Sequence, residues 1–238
     1  MARERVHLVV GADWLAWVAG ERGTPNVQTR RIAGEDPPTT LGAGHLEIPE
    51  LTLGGPGGHR IAFTAVTSLD GGALPAVTAF VGDESVGPER GAIAGLSFSP
   101  DGARLAYVAS TLDELPAGVP EGWRPSILLP RQICDDSMPG LYLPATGTDE
   151  TQTCVLCIDG APVGSEWLSM GTPVWSPDGA RLACVVQTNE GLHLVLGDWK
   201  SPAFEQMGPP TFLDDGRIAC ATYAEGELWW RVFDPTGD

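Results

Sequence analysis

Cys154 and Cys157 have the spacing of a redox or metal-binding pair, so they come first as candidates for chemistry. The segment around them is apolar and predicts a strand, in which residues three apart lie about 10 Å from each other and point to opposite faces. That geometry does not allow a disulfide, and no second pair or nearby histidine completes a zinc set. We therefore predict core cysteines here. Cys134, outside the repeat described below, stays a candidate reactive thiol.

Two pairs of adjacent aspartates, Asp135-Asp136 and Asp214-Asp215, are the next candidates, because paired carboxylates can serve acid–base catalysis. Asp215 falls at the turn position of a repeat and is predicted to be structural, whereas the repeat does not explain Asp135 and Asp136. The four histidines are dispersed, and the sequence has no G-x-S-x-G elbow, phosphate loop or dinucleotide fingerprint. We predict no catalytic residue, no metal and no cofactor.

Aromatic and arginine residues in the segment from 111 to 150 indicate binding instead. Trp123 lies beside Arg124 in a Gly-Trp-Arg-Pro sequence, which resembles an interface hot spot. The predicted partner-binding residues are Trp123, Arg124, Arg131, Asp135 and Asp136. Five other tryptophans fall in predicted strands and are expected mostly in the core: Trp14, Trp17, Trp175, Trp229 and Trp230.

A repeated segment predicts the scaffold that holds these residues. Phe-Ser-Pro-Asp-Gly-Ala-Arg-Leu-Ala-Tyr at 98–107 recurs at 175–184 with only its ends changed, and shortened or weaker copies occur at 212–220, 60–63 and 14–17. Proline, aspartate and glycine in this order favour a tight turn between two strands. The strand after the turn is apolar at successive positions, so both of its faces must be covered. Sheets stacked around an axis provide that cover.

These Ser-Pro-Asp-Gly-x-Arg-Leu-Ala units resemble WD40-like (PD40, TolB-type) β-propeller repeats, and the segment from Cys157 to Gly164 resembles the connection between two blades of that family. The resemblance implies an all-β fold: a single β-propeller over residues 1–238 with antiparallel, four-stranded blades. It implies little about function, because such propellers occur as scaffolds, in transport systems and as gating domains of peptidases.

The spacing of the repeat leaves the number of blades open. An alanine recurs at the same place in each unit, at Ala16, Ala62, Ala106, Ala183 and Ala219, and the step after Ala106 is far longer than the others. Either a sixth, degenerate blade lies between residues 111 and 150, with its inner strand at Gly140–Leu143, or one blade carries an insertion at about 111–150 between its second and third strands. Prolines punctuate this segment and are poorly tolerated in central strands. We favour five blades over six.

Charge and cysteine content narrow the classes of function. A net charge of −17 disfavours nucleic acid and anionic membranes as partners. An odd number of cysteines and the lack of a long apolar run favour the cytoplasm. We predict a non-enzymatic scaffold that binds a protein partner. The alternatives are a propeller that binds a small molecule or glycan and, less favoured, the regulatory propeller of an enzyme.

Overall fold

The computed structural model describes residues 7–21, 23–69, 75–111, 131–133, 141–143 and 153–235, and for 131–133 and 141–143 it describes the backbone alone. These ranges contain 23 β-strands and one short 3₁₀ helix, Pro56–Gly58. The all-β fold class predicted from the repeat is confirmed.

The strands form five antiparallel sheets that follow one another along the chain. The first sheet consists of β1 (Leu8–Val10), β2 (Trp14–Ala19), β3 (Asn26–Arg31) and β4 (Thr39–Leu41). The second sheet consists of β5 (Glu47–Gly54), β6 (Arg60–Ser68), β7 (Ala76–Val81) and β8 (Glu84–Arg90).

The third sheet is interrupted by the insertion. In chain order this region contains β9 (Ile93–Phe98), β10 (Leu105–Ser110), the insertion strands β11 (Arg131–Ile133) and β12 (Leu141–Leu143), then β13 (Cys154–Ile158) and β14 (Ala161–Trp167). The four strands of the third sheet are β9, β10, β13 and β14.

The last two sheets have a first strand that is broken in two. The fourth sheet consists of β15 (Ser169–Met170), β16 (Val174–Trp175), β17 (Leu182–Thr188), β18 (Gly191–Leu196) and β19 (Trp199–Lys200). The fifth consists of β20 (Gln206–Met207), β21 (Thr211–Phe212), β22 (Ile218–Ala224) and β23 (Glu227–Phe233), and the insertion strands β12 and β11 extend it beyond β20. Both halves pair with the same side of the second strand: β15 and β16 lie one after the other along β17, and β20 and β21 along β22.

The Ser-Pro-Asp-Gly segments form the turns between first and second strands, as predicted. Gly102 (φ 72°) and Gly179 (φ 69°) adopt the left-handed conformation that glycine accepts without strain. Around these turns Phe98 pairs with Leu105 in the third sheet, and Trp175 with Leu182 in the fourth. The repeat therefore builds one hairpin per copy.

The sheets pack face to face, and each neighbouring pair shares one buried hydrophobic cluster. Residues alternate between the two faces of each second strand. In the second sheet, for example, Ala62 packs toward the third sheet and Phe63 toward the first. Five sheets give four such clusters among the described residues, and none of the four joins the fifth sheet to the first. The order and packing are those of propeller blades, and the described residues form five sheets rather than six.

The insertion leaves and re-enters the third sheet between its second and third strands, because β10 pairs directly with β13 through Ala106 and Ile158. The strand Leu141–Leu143 is the one that a sixth blade would have used. It belongs instead to a hairpin with β11, and Tyr142 pairs with Met207 of the fifth sheet. The insertion therefore connects the third sheet to the fifth.

Candidate functional site

One serine and one aspartate form hydrogen bonds within each Ser-Pro-Asp-Gly turn. In the third sheet the Ser99 hydroxyl donates to Asp101 Oδ1 (2.6 Å) and accepts from the backbone N–H of Arg104 (2.9 Å). The hydrogen bond from Ser99, followed by one from the backbone N–H of Ala103 (3.0 Å), holds the pKa of Asp101 below its usual value. Ser176 and Asp178 repeat the arrangement in the fourth sheet. These carboxylates are therefore ionised turn elements and poor proton donors near neutral pH.

An arginine at the start of the second strand, or directly before it, reaches across to the next sheet. Its guanidinium lies over the aromatic ring that ends the next first strand: Arg60 over Phe98 (5.9 Å to the ring centroid), Arg104 over Trp175 (4.4 Å) and Arg181 over Phe212 (5.5 Å). Arg104 also donates to the carbonyl of Gly179, and Arg181 donates to that of Gly216 (3.0 Å). We call this contact the arginine latch. It holds neighbouring sheets together at the edge where the turns lie.

The last arginine of the series, Arg217, has no following sheet to reach within the described residues. Its guanidinium pairs with its own turn, at 2.8 Å from Nε and 2.7 Å from Nη2 to Asp215 Oδ2. The hydrogen bond from Arg217 holds the pKa of Asp215 below its usual value. The latch series is thus open at this end of the stack.

The fifth sheet has one face without a neighbouring sheet. We define the terminal face by three pairs of residues that oppose each other on β22 and β23: Ala219 and Val232, Ala221 and Trp230, and Tyr223 and Leu228. The alternate residues Ile218 and Cys220 pack toward the fourth sheet, so the terminal face points away from it. Trp230 is 66% exposed, Leu228 55% and Val232 44%. Contiguous exposed apolar residues of this size mark interaction sites in folded proteins.

The edge of the fifth sheet is also open, because the described residues place no fourth strand beside β23. Fourth strands elsewhere carry residues that discourage further pairing, such as Pro88 in β8 and Pro162 in β14. β23 has no proline or glycine and exposes Trp229 as well as the terminal face. An extended segment of another chain can therefore pair with this edge.

The first sheet has the corresponding free face at the other end of the stack. We define the leading face by Leu8 and Val10 on β1, Leu15 and Trp17 on β2, and Gln28 and Arg30 on β3, which oppose one another across the sheet. Leu8 and Val10 are more than half exposed, and Leu15 and Trp17 are half-buried. The stack therefore ends in an exposed apolar face on both sides.

A cleft of about 560 Å³ lies beside the turn between β17 and β18. It is lined by Leu168, Gln187, Thr188, Asn189, Glu190, Gly191, Ala203, Phe204, Glu205 and Ala224. Buried His193 lies behind Thr188, with Nε2 3.0 Å from the Thr188 hydroxyl and Nδ1 2.9 Å from the Ser201 carbonyl. Both ring nitrogens have protein partners, so this histidine serves the structure.

The predicted partner-binding residues are largely outside the described part of the chain. Trp123, Arg124, Asp135 and Asp136 lie outside the described residues, as does Cys134. Arg131 begins β11, of which the backbone alone is described. Their role in binding therefore stays a prediction.

The described cysteines are buried free thiols, as predicted: Cys154, Cys157, Cys184 and Cys220. Cys154 packs toward the fourth sheet and Cys157 toward the second, so the pair does point to opposite faces. Burial raises the pKa of Cys154, Cys184 and Cys220 to about 12, which keeps these thiols protonated and unreactive. Within the described ranges, no three His, Cys, Asp or Glu residues group as metal ligands, and no helix is long and apolar enough to cross a membrane.

The expectation that the tryptophans of predicted strands lie mostly in the core is wrong for Trp229 and Trp230. Trp175 is buried and packs beneath Arg104. Trp229 and Trp230 are at least half exposed, because the open edge and the terminal face have no covering element. Sequence reasoning missed this surface. The apolar pattern of β23 resembles that of strands that are covered on both faces.

No protein-family description and no curated protein matches the chain. Among solved structures, it resembles TolB from Acinetobacter baumannii at 11% identity, over 97% of this chain and 52% of that one, with a TM-score of 0.44. It resembles an acylaminoacyl peptidase of Pyrococcus horikoshii at 10% identity, over 97% of this chain and 45% of that one, with a TM-score of 0.46. It resembles a puromycin-hydrolyzing peptidase of Mycobacterium tuberculosis at 17% identity, over 98% of this chain and 45% of that one, with a TM-score of 0.41. The chain spans about half the length of these proteins. At such identities and TM-scores they carry no argument about function, and the fold rests on the five sheets themselves.

Proposed function

We propose that this chain is a non-enzymatic, WD40-like propeller scaffold that binds a protein partner, chiefly through the terminal face. The observation that supports this is the exposure of Trp230 between Leu228 and Val232 on an apolar sheet face. Full burial of such a side chain contributes about 1.5–3 kcal/mol, so a partner that covers all three gains substantial binding energy. Tryptophan is also among the residues most enriched at interface hot spots.

A binding role is supported by what the polar and reactive groups already do. The turn aspartates Asp101, Asp178 and Asp215 are engaged in their own turns, and the described cysteines are protonated and buried. Neither set offers an activated nucleophile or a proton donor near neutral pH. Free thiols also support the cytoplasmic location proposed from the cysteine count.

The test compares Trp230→Glu with Val163→Glu in capture of partner proteins from a native lysate. Val163 is the matched control, because it is 44% exposed on β14, at the outer edge of the third sheet. We expect Trp230→Glu to reduce capture at least about tenfold. The glutamate carboxylate would lose its hydration in the complex without gaining a partner, and the contacts of the tryptophan would be lost. Val163→Glu leaves capture unchanged. Equal capture by both variants, with equal melting temperatures, would exclude the terminal face as the binding surface.

The insertion is the second proposed element of the binding surface, because its hairpin joins the fifth sheet through Tyr142 and Met207. Substitution of Trp123, Arg124 or Arg131 by alanine is expected to weaken capture of the same partner. Aromatic and arginine side chains carry most interface energy, so each change is expected to cost about tenfold or more in affinity. Capture that is unaffected by all three would restrict the interface to the terminal face.

The cleft beside β17 and β18 favours small-molecule binding as a second candidate function. Its volume of about 560 Å³ lies in the range of ligand sites. Phe204 provides an apolar wall, while Glu190 and Glu205 make the rim acidic, which suits a small organic cation. No tryptophan lines the cleft, so stacking of a sugar on tryptophan has no support there. Titration calorimetry with a panel of amines tests this function, and Glu205→Gln should abolish any heat of binding.

A further inference from the structure

The terminal face and the leading face are the two unmatched halves of one repeated interface. Within the stack, the second strands present an alanine to the following sheet, as Ala16, Ala62 and Ala183 do. Ala183 faces the fifth sheet and Cys184 the third, for example. Ala219 holds the same place on the terminal face as Ala183 holds in the fourth sheet. Leu15 and Trp17, the neighbours of Ala16 in the chain, point to the leading face, while Ala16 packs toward the second sheet. The two end faces therefore resemble the sheet faces that pack against each other at the four interfaces between described sheets.

Charge distinguishes the two ends and favours their association. Residues 1–31 contain five arginines and three acidic residues, although the chain as a whole has a net charge of −17. Residues 211–238 contain six acidic residues and two arginines. Exposed Arg30 lies on the leading face, and exposed Glu225 and Glu227 lie at the β22–β23 turn, at one end of the terminal face. Opposite charges on two surfaces that are otherwise apolar promote their encounter and set their orientation.

We propose that the terminal face binds the leading face of a second copy of this chain. The inference rests on the proposed function and names the partner of the same surface. A head-to-tail contact of this kind continues the stack from one copy into the next, with the first sheet of the second copy in the place of a sixth sheet. On the two end faces of a single chain, the exposed side chains are those of Leu8, Val10, Leu228, Trp230 and Val232, and these are available to another copy.

Two variants test the proposal, one for each face. Trp230→Glu disrupts the terminal face and Val10→Glu the leading face, and both residues are about two-thirds exposed, so neither change disturbs the packed core. We expect the wild-type chain to sediment at a multiple of its 25.0 kDa mass. Each variant alone should weaken self-association at least about 30-fold, as loss of a hot-spot residue does. Val163→Glu is the control and leaves self-association unchanged.

Mixing the two variants provides the decisive measurement. Each variant retains one intact face, so Val10→Glu supplies a normal terminal face to the normal leading face of Trp230→Glu. Native mass spectrometry of a mixture of isotopically labelled and unlabelled variants should therefore show mixed pairs, although each variant alone is monomeric.

Three results would overturn the proposal. The first is a wild-type chain that stays at 25.0 kDa up to about 100 μM. The second is a monomer with both faces protected from hydrogen exchange, which indicates that the two faces close on each other within one chain. The third is a monomeric chain whose terminal face captures a different protein, and this result leaves the proposed scaffold function intact. A wild-type chain that neither self-associates nor captures a protein would overturn the proposed function as well. Capture of a different protein without self-association overturns the inference alone.

Discussion

The third and fifth sheets use the same turn, yet they differ in how much of their surface is covered. The third sheet has four strands and a neighbour on each face, and its second strand, Leu105–Ser110, is buried throughout. The fifth sheet has a neighbour on one face only, and its third strand is almost entirely exposed. Equivalent sequences thus have a packing role in one place and are free to bind in the other. The difference arises from position in the stack.

The largest expected effect comes from deleting a core side chain of the third sheet. Leu105→Ala should lower the free energy of unfolding by about 3–5 kcal/mol, because Leu105 is fully buried between the second and third sheets. Leu228→Ala removes the same side chain from the terminal face and should cost less than about 0.5 kcal/mol. Urea denaturation of both variants measures the difference. Similar losses would show that the terminal face is covered in solution.

The next effect separates backbone strain from contact between sheets. Gly102 and Gly179 share the same motif and the same sign of φ, but a Cβ on Gly102 would lie 2.6 Å from Gly55 Cα of the second sheet. The nearest atom to a Cβ on Gly179 is 3.6 Å away. Gly179→Ala should cost about 1–2 kcal/mol through strain alone, and Gly102→Ala about 1–3 kcal/mol more. Equal melting temperatures for the two variants would contradict the close approach of these turns.

A smaller effect is expected from the arginine latch. Arg104→Ala removes a guanidinium that lies over Trp175 and donates to Gly179, so we expect a loss of about 1–2 kcal/mol. Arg217→Ala removes the equivalent arginine at the open end and should cost much less, because its pair with Asp215 is exposed to solvent. Thermal unfolding of the pair tests whether the latch stabilises the interface between sheets. A loss of stability in Arg217→Ala as large as that in Arg104→Ala would contradict a role of the latch at the interface.

The smallest expected effect is a change in the pKa of the turn aspartates, which affects stability only at acidic pH. The pKa of Asp101 is lowered by its bond from Ser99, so the turn's contribution to stability is complete above the carboxyl's unfolded pKa of about 3.9 and is lost as pH falls through the lower, folded pKa. Ser99→Ala should raise the pKa of Asp101 and leave Asp215 unchanged. Arg217→Ala should raise the pKa of Asp215 instead, because Arg217 is its partner. Carboxyl titration by NMR measures both, and coupled shifts would show that the turns are not independent.

The sequence was sufficient for features that depend on neighbouring residues. Proline, aspartate and glycine define the turns locally, and the glycines at 102 and 179 have the positive φ expected of them. The strand spacing of Cys154 and Cys157 also placed the two thiols on opposite faces correctly. The long step after Ala106 indicated an insertion, and the direct pairing of β10 with β13 agrees with this.

Features that depend on distant residues were not accessible in the same way. The apolar residues of Glu227–Phe233 indicate a strand that can be covered on both faces, but periodicity does not show whether a neighbouring sheet is present. The periodicity therefore predicts Trp230 in the core, although this side chain is exposed. The pairing of Tyr142 with Met207 spans the whole fourth sheet, and no local pattern signals it. The candidate surface follows from the order of the sheets, which the sequence describes only through its repeats.

The bond between the insertion and the fifth sheet has a consequence for how the chain unfolds. A stack in which each sheet contacts only its neighbours can lose its sheets one at a time from the open end. The pairing of Tyr142 with Met207 closes a loop that contains the entire fourth sheet, Ser169 to Lys200. The fifth sheet therefore cannot detach without breaking a contact that originates in the third. Hydrogen exchange in the last three sheets should consequently occur in a single cooperative opening.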